Sequence, residues 1–376
     1  MTTTARNAEA RHLLQVYGQL PLETTSAEGV YLHAGRRRII DFYGGHAVAA
    51  LGYAHPDLLA TLQDQAKTMY FQSNAVALEV RARAGDALAA FAPEGLDRVF
   101  FVNSGAEANE NALRVACRAT GRSRILALEH GFHGRTAAAA AVTWGAAKSW
   151  YGFPRTPFDV GFIPRDDTAR AEDMINGETA AVIIELVQGL AGAYDLDPGF
   201  VLAVAEACRR SGTLLIVDEV QSGVGRTGAP FAADLYGLKP DMLTTAKALG
   251  GGFPCSALLM TEALAGTLKS GDLGTTFGGG PMACALVSTV IEVIRRDRLL
   301  ENVQELSAEI RKHAVTGPVE AIQGRGFLLG LRCRRPAKDI QAALLDRDLL
   351  VGTSADPHVE RLLPPLTRGE QHVAKL

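Results

Sequence analysis

Met242-Leu-Thr-Thr-Ala-Lys247-Ala-Leu-Gly-Gly-Gly252 is the stretch around which the chain is organised. The run Met242 to Ala246 reads as a buried strand, and Lys247 stands at its end. Lysine is rarely buried without a partner. The three glycines just beyond let another group approach the backbone closely. A lysine taken out of water loses its proton more easily and becomes a nucleophilic amine that can form a Schiff base. Taken alone, the stretch reads first as a strand that ends in a surface lysine, and the rest of the chain overturns that reading.

Outward from that point, strands are expected at 98–102, 124–128, 180–185, 213–218, 241–245 and 255–260. Helices are expected at 105–119, 134–147, 198–210 and 230–236. Alternation of this kind, with nearly continuous apolar strands, predicts an α/β fold with a mostly parallel sheet covered on both faces. Earlier in the chain, residues 5–19 carry an amphipathic helical pattern. Short strands follow at 30–33 and 38–42, then helical periodicity at 56–70 and 77–92. After residue 280 the texture changes: a long helical pattern over 281–315, a strand at 327–332, a helix at 336–346 and a strand at 348–352. We expect a large domain over 46–280 and a smaller α+β domain from 1–45 and 281–376.

The bulk numbers narrow the function. The 376 residues are 47% apolar and 21% charged, with a net charge of -3, too weak to indicate a nucleic-acid or membrane partner. Five scattered cysteines without a Cys-x-x-Cys pair indicate neither a disulfide framework nor a zinc site. The N-terminus, Met1-Thr-Thr-Thr-Ala-Arg6, lacks the apolar core of a signal peptide, and no apolar run reaches membrane-spanning length. The cytoplasm is the expected location.

Four further stretches carry chemistry. Val99-Phe-Phe-Val102 runs through Asn103-Ser104-Gly105-Ala106 into a helix, a corner that suits either a phosphate or plain N-capping. Leu214-Leu-Ile-Val217 ends in Asp218-Glu219-Val220-Gln221, and a carboxylate at a buried strand end needs a partner: a protonated ring nitrogen, a basic side chain or a metal. In His130-Gly-Phe132-His-Gly-Arg135-Thr136, the aromatic can stack on a flat ring and the arginine can grip a carboxylate, though in isolation the stretch is equally a surface loop. Gly274-Thr275-Thr276-Phe277-Gly278 would suit a second phosphate contact or a flexible turn. Gly223-Val-Gly225-Arg-Thr-Gly228 matches the dinucleotide pattern, but it follows two acids that repel a pyrophosphate, and Pro230 interrupts the helix it should open. A phosphate cradle, a stacking face, a carboxylate for a ring nitrogen and a Schiff-base lysine together are what pyridoxal 5'-phosphate requires.

The combination of NSGAEANE (103–110), FHGRT (132–136), LLIVDEVQSGVGRTG (214–228), AKALGGGFP (246–254), TTFGG (275–279) and GRGFLLGL (324–331) resembles the class III (omega) aminotransferases of fold type I, and within them the acetylornithine branch. The resemblance runs from Tyr17 to Leu366. It implies that Lys247 holds the cofactor through its amine and then shuttles a proton, and that Asp218 pairs with the ring nitrogen. Ser104, Gly105 and Ala106 would cradle the phosphate, Phe132 and Val220 would sandwich the ring, and Gln221 would bond the ring hydroxyl. Thr276 would reach the phosphate of a partner subunit, which implies a homodimer with shared sites. Arg135 would take the far carboxylate of the substrate, and Arg361 the α-carboxylate of glutamate or 2-oxoglutarate. The donor implied is an N-acylated diamino acid such as N-acetylornithine. N-succinylornithine, ornithine, a carrier-bound lysine and 4-aminobutyrate stay open, as does an aminomutase on the same fold. Three features depart from the pattern: Leu190 stands where the family has a glutamate, Gly280 where it usually has asparagine, and the chain stops soon after Leu366. With Leu190 in place, Arg361 is expected either to be free throughout or to be masked by Glu360 or Glu185.

Overall fold

The computed structural model describes residues 5–376; residues 1–4, read above for a signal segment, lie outside the described residues. Its centre is a seven-stranded sheet in the spatial order Arg98–Val102, Ser256–Met260, Met242–Thr245, Leu214–Asp218, Thr179–Ile184, Arg124–Leu128 and Asp159–Ile163. Ser256–Met260 pairs antiparallel with both neighbours, and every other pairing is parallel. Side chains alternate across a strand, so the all-buried run Thr179–Ile184 feeds two cores at once. Val182 and Ile184 pack with Phe200, Val204 and Val217 under the helix Pro198–Ser211. Ala181 and Ile183 pack with Ala112, Leu113 and Ile216 under the helix Gly105–Thr120.

Two smaller sheets come from the ends of the chain. Ser26–Glu28, Tyr31–Ala34, Arg37–Asp41 and Leu349–Leu350 form one; Val319–Arg325, Leu328–Cys333, Val359–Leu362 and Gly352–Thr353 form the other. The expected strand at 348–352 is therefore divided between two sheets, with Val351 at the crossing. A β-carbon on Gly352 would lie 1.9 Å from the Tyr43 ring, so only glycine fits there.

Other boundaries also move. The pattern over 5–19 forms only the helix Ala5–Glu9. The apolar residues beyond it find no surface within this chain: Leu14 is 86% and Tyr17 80% exposed. The pattern over 281–315 is two helices, Pro281–Arg296 and Leu299–His313, broken where Arg298 takes φ +53°. The helix expected over 134–147 shortens to Ala137–Ala141 and Ala146–Ser149. Between them, the Thr143 hydroxyl accepts the His133 amide at 2.9 Å. The strands Asp159–Ile163 and Val319–Arg325 were not anticipated. Past Leu366 the chain forms a short helix, Glu370–Val373.

Candidate active site

Parallel strands bring their carboxyl ends to one edge, and loops there make the site. Asp218 ends one central strand and pairs in register with Thr244 on the next. Three residues further, Lys247 leaves the same edge. Val102 pairs with Ser256, which brings the Asn103-Ser104 corner alongside, and Ser256 Oγ donates to the Ser104 carbonyl at 2.8 Å. The result is a cavity of about 580 Å³ lined by Ser104, Gly105, Ala106, Phe132, Arg135, Asp218, Val220, Gln221, Lys247 and Arg361. Of the eleven residues singled out in the sequence, only Thr276 is absent from this lining. It is exposed on its loop, beside a separate recess that Asn103, Glu107 and Phe277 also line.

The phosphate corner satisfies both sequence readings. The Ser104 hydroxyl accepts the Glu107 amide at 3.2 Å, and Glu107 accepts the Ser104 and Asn103 amides at 2.9 and 2.7 Å. This capping box takes up the serine hydroxyl. The amides of Gly105 and Ala106 come before any intrahelical acceptor and keep the positive end of a 16-residue helix. A β-carbon at Gly105 would meet Val220 Cγ1 at 2.7 Å, so the glycine lets Val220 lie directly on this turn.

Asp218 is 3% exposed and fully engaged. Its Oδ2 accepts from His133 Nδ1 and Asn109 Nδ2, each at 2.7 Å, and its Oδ1 from the Val220 amide at 3.0 Å. Asn109 is fixed in turn by Thr244 Oγ1, which donates to it at 2.6 Å. Sequence reasoning missed both holders. Asn109 could have been noticed as a polar residue on the buried helix face that Ala108, Ala112 and Leu113 share.

Lys247 takes φ +47°, a left-handed conformation that residues other than glycine seldom adopt and that clusters at functional sites. Burial lowers the pKa of its ammonium, opposed by the charges of Asp218 and Glu185. Glu185, named in the sequence only as a candidate mask for Arg361, accepts the Phe132 amide at 2.8 Å and the Gly189 amide at 3.2 Å. Burial pushes its carboxyl up to about 7; His133 pulls the other way and Asp218 adds to the rise.

Arg361 bonds only to uncharged acceptors: the Thr353 carbonyl at 2.7 Å, the Gly189 carbonyl at 3.2 Å and Tyr43 Oη at 3.1 Å. Among the described residues no carboxylate pairs with it. Glu185 is committed to the amides just named, and Glu360, its neighbour on a strand, faces the other side. Tyr43 reaches on to His46 Nδ1 at 2.5 Å, and Gln221 Nε2 donates to the His46 carbonyl at 3.2 Å. The Arg135 guanidinium lies 4.5 Å over the Trp150 ring. Leu190, 39% exposed, is an uncharged wall of the cavity.

Residues 15–376 match the family Aminotransferase class-III. The chain belongs to this family. It is 41% identical over 374 residues to the acetylornithine aminotransferase of Mesorhizobium japonicum, covering 94% of this chain and 91% of that one. The fold is similar to the ornithine aminotransferase of Toxoplasma gondii, with a TM-score of 0.92, 27% identity and coverage of 100% and 93%. That structure shows partial occupancy of PLP at its active site. The acetylornithine aminotransferase of Elizabethkingia anophelis gives a TM-score of 0.87 at 28% identity, covering 98% of this chain and 95% of the other. Pyridoxal phosphate fits what a class-III aminotransferase presents here: amides at a helix N-terminus for the phosphate, a valine seated on that turn, a buried and held carboxylate, and an amine of lowered pKa, all on one cavity. Among the described residues no cluster suits a metal, and no helix is long and apolar enough to cross a membrane.

Proposed function

We propose that this class-III aminotransferase acts in the cytoplasm as a homodimer, moving the terminal amine of an N-acylated diamino acid, N-acetylornithine first, to 2-oxoglutarate. Glutamate and the semialdehyde are the products, which fits a step in arginine-type amino-acid synthesis. The observation that carries the chemistry is the placement of Lys247 and Asp218 at one sheet edge, the carboxylate held by three donors and the amine's pKa lowered by burial. The acyl-diamine substrate follows the name of the Mesorhizobium japonicum relative.

When bound, pyridoxal phosphate supplies an aldehyde for the amine and an electron-withdrawing ring beside the carbon that loses its proton. The amides of Gly105 and Ala106 bind the phosphate. Asp218 keeps a proton on the ring nitrogen, while His133 and Asn109 stop the carboxylate from turning away. Phe132 and Val220 exclude water from the two ring faces, and Gln221 is within the same lining to bond the ring oxygen. Lys247 Nζ takes the proton from the carbon next to the reacting amine and returns it. Arg135 binds the far carboxylate. Arg361, with no acid to neutralise it, binds the α-carboxylate of the dicarboxylates.

Thr276 completes a partner's site rather than its own. Phe277 is 65% exposed beside it, with Phe71 at 5.4 Å, an apolar patch suited to a second copy of the chain. The test is stoichiometric glutamate formation from N-acetylornithine and 2-oxoglutarate, with borohydride fixing the cofactor to the peptide that contains Lys247. Amine migration within the donor and no glutamate would indicate an aminomutase; a label on another lysine would end the Lys247 assignment.

A further inference from the structure

Arg361 and Gly352 stand opposite each other on paired strands, so their side chains share one face. The Tyr43 ring fills the place that a side chain at Gly352 would take. The next residue, Gly44, packs on the segment just after Arg361: a β-carbon there would meet the Leu363 carbonyl oxygen at 2.7 Å. From Gly44 to Ala47 the backbone stays left-handed, with φ between +55° and +71°. Two of these four residues, His46 and Ala47, are not glycine, and strain of that kind collects at functional sites.

The hydrogen-bond directions here follow from the donors. A guanidinium only donates, so Tyr43 Oη accepts from Arg361 Nη2 at 3.1 Å. The phenol hydrogen is then directed to His46 Nδ1 at 2.5 Å, which leaves the proton of a neutral imidazole on Nε2. The neutral form is favoured: lost hydration lowers the pKa of His46 first, and the charges of Arg361 and Lys247 lower it further. The acids nearby, Asp41, Glu185 and Asp218, act on Tyr43, Arg361 and Lys247 instead. His46 lines the reaction cavity, and its Nε2 has no hydrogen-bond partner among the described residues. Arg361 spends three of its five N–H groups on Thr353, Gly189 and Tyr43, so two remain for a carboxylate.

We propose that His46 Nε2–H is a further donor to the α-carboxylate that Arg361 binds, and that Tyr43 is the positioning residue that aims both groups. This rests on the reading that 2-oxoglutarate and glutamate are the acceptor pair. A proton linkage follows from it. A carboxylate on Arg361 offsets one of the charges that keep His46 neutral, so the imidazole binds a proton more readily when the site is filled. Tyr43 Oη can then accept from Nδ1–H as well as from Arg361. Dicarboxylates therefore bind more tightly as pH falls, and acids without the α-carboxylate do not.

Glutarate and pentanoate test this on the holoenzyme: they have equal carbon count and no reacting group, and only glutarate has the second carboxylate. Calorimetry in two buffers of different ionisation heat reads affinity and proton uptake together. Glutarate should take up protons at about pH 6.5 and bind about tenfold more tightly at about pH 6 than at about pH 8, whereas pentanoate should do neither. In His46→Asn the residue suits the left-handed backbone and still accepts from Tyr43, but it does not titrate and is shorter. Glutarate should weaken about tenfold there, the scale of one hydrogen bond to a charged group, and uptake should vanish. Tyr43→Phe keeps the ring against Gly352, and should weaken glutarate at every pH while uptake remains. No uptake in the wild type, unchanged uptake in His46→Asn, or a glutarate affinity unmoved in either variant overturns the proposal. If 2-oxoglutarate still yields glutamate in that case, only the role given to His46 and Tyr43 has failed; if it accepts an amine from no donor, the acceptor reading has failed and this role with it.

Discussion

Asp218→Asn separates folding from chemistry at one position. The carboxylate accepts three hydrogen bonds, two on Oδ2 and one on Oδ1. An amide of the same shape must turn its NH₂ toward one of these sets. Toward Val220 it loses one bond and sets two donors against each other, costing about 1–3 kcal/mol. Toward His133 and Asn109 it faces two donors; the imidazole can move its proton to Nε2, but Asn109 cannot follow, because Thr244 Oγ1 holds its Oδ1. The first orientation is therefore favoured, and the protein should fold with a modest loss of stability. The chemical loss is larger. The ring nitrogen no longer faces an anion, and a buried charge partner is worth on the order of 4 kcal/mol, roughly a thousandfold in rate. Single-turnover absorbance of each half-reaction measures the rate, and thermal melting of the apoprotein measures the fold. A folded variant with turnover within about tenfold of wild type would show that another group keeps the ring protonated.

Three further outcomes follow from the same geometry. Leu190→Glu would place an acid on the cavity wall near the unpaired Arg361, and should weaken 2-oxoglutarate and glutamate binding by about 1–2 kcal/mol, roughly tenfold; unchanged affinity for both would mean that position 190 does not influence Arg361. Mixing Lys247→Ala subunits with Thr276→Glu subunits should restore activity, since one hybrid site receives both intact groups, and demonstrated exchange without recovery would count against a shared site. Glu219 is fully buried, bonded to Ser222 Oγ and the Ala233 amide, and burial raises its carboxyl from 4.5 to about 7. The folded state therefore binds the proton more tightly than the unfolded one, so stability is highest below about 4.5 and declines as pH rises through 7, on the order of 3 kcal/mol in all. Glu219→Gln keeps both bonds and should flatten that decline in melting curves between pH 5 and 8; an unaltered slope would place the titration elsewhere.

The sheet and the site were legible in the sequence to the extent that short segments carry their own signal. The strands ending at Val102, Leu128, Asp218 and Thr245 are compact apolar runs, and Asp218 with the turns after these strands supplies nine of the ten singled-out residues that line one cavity; Arg361 comes from the strand Val359–Leu362. Asp159–Ile163 was hidden because it is short, partly exposed and interrupted by Gly161. A β-carbon on that glycine would meet Leu126 Cδ2 at 2.7 Å, a packing demand from a neighbouring strand that the local sequence cannot express. The break at Arg298 was masked by unbroken helical periodicity on both sides. His133, Asn109, Tyr43 and Glu185 act on partners 85, 109, 318 and 53 residues away. Such contacts leave no spacing to read, and Arg361 proved to be held by carbonyls and a phenol rather than by either acid suggested for it.

Arg226 gives the molecule a property that no single element has. Its guanidinium is wholly buried and reaches the carbonyls of Pro364, Phe327 and, at 3.5 Å, Ala47, three segments far apart in the chain. The Phe327 amide donates back to the Arg226 carbonyl at 2.8 Å, and Leu363 and Leu366 donate to Phe42 and Ala50, each at 2.7 Å. Swinging the C-terminal sheets away from the central one would strand a cation in an apolar interior, where several kcal/mol of lost solvation oppose it. The walls of the reaction chamber are thus keyed together like stones about a wedge. A wedge of this kind opposes a wide separation of the three segments and leaves exchange of substrates to movements of side chains and loops at the mouth.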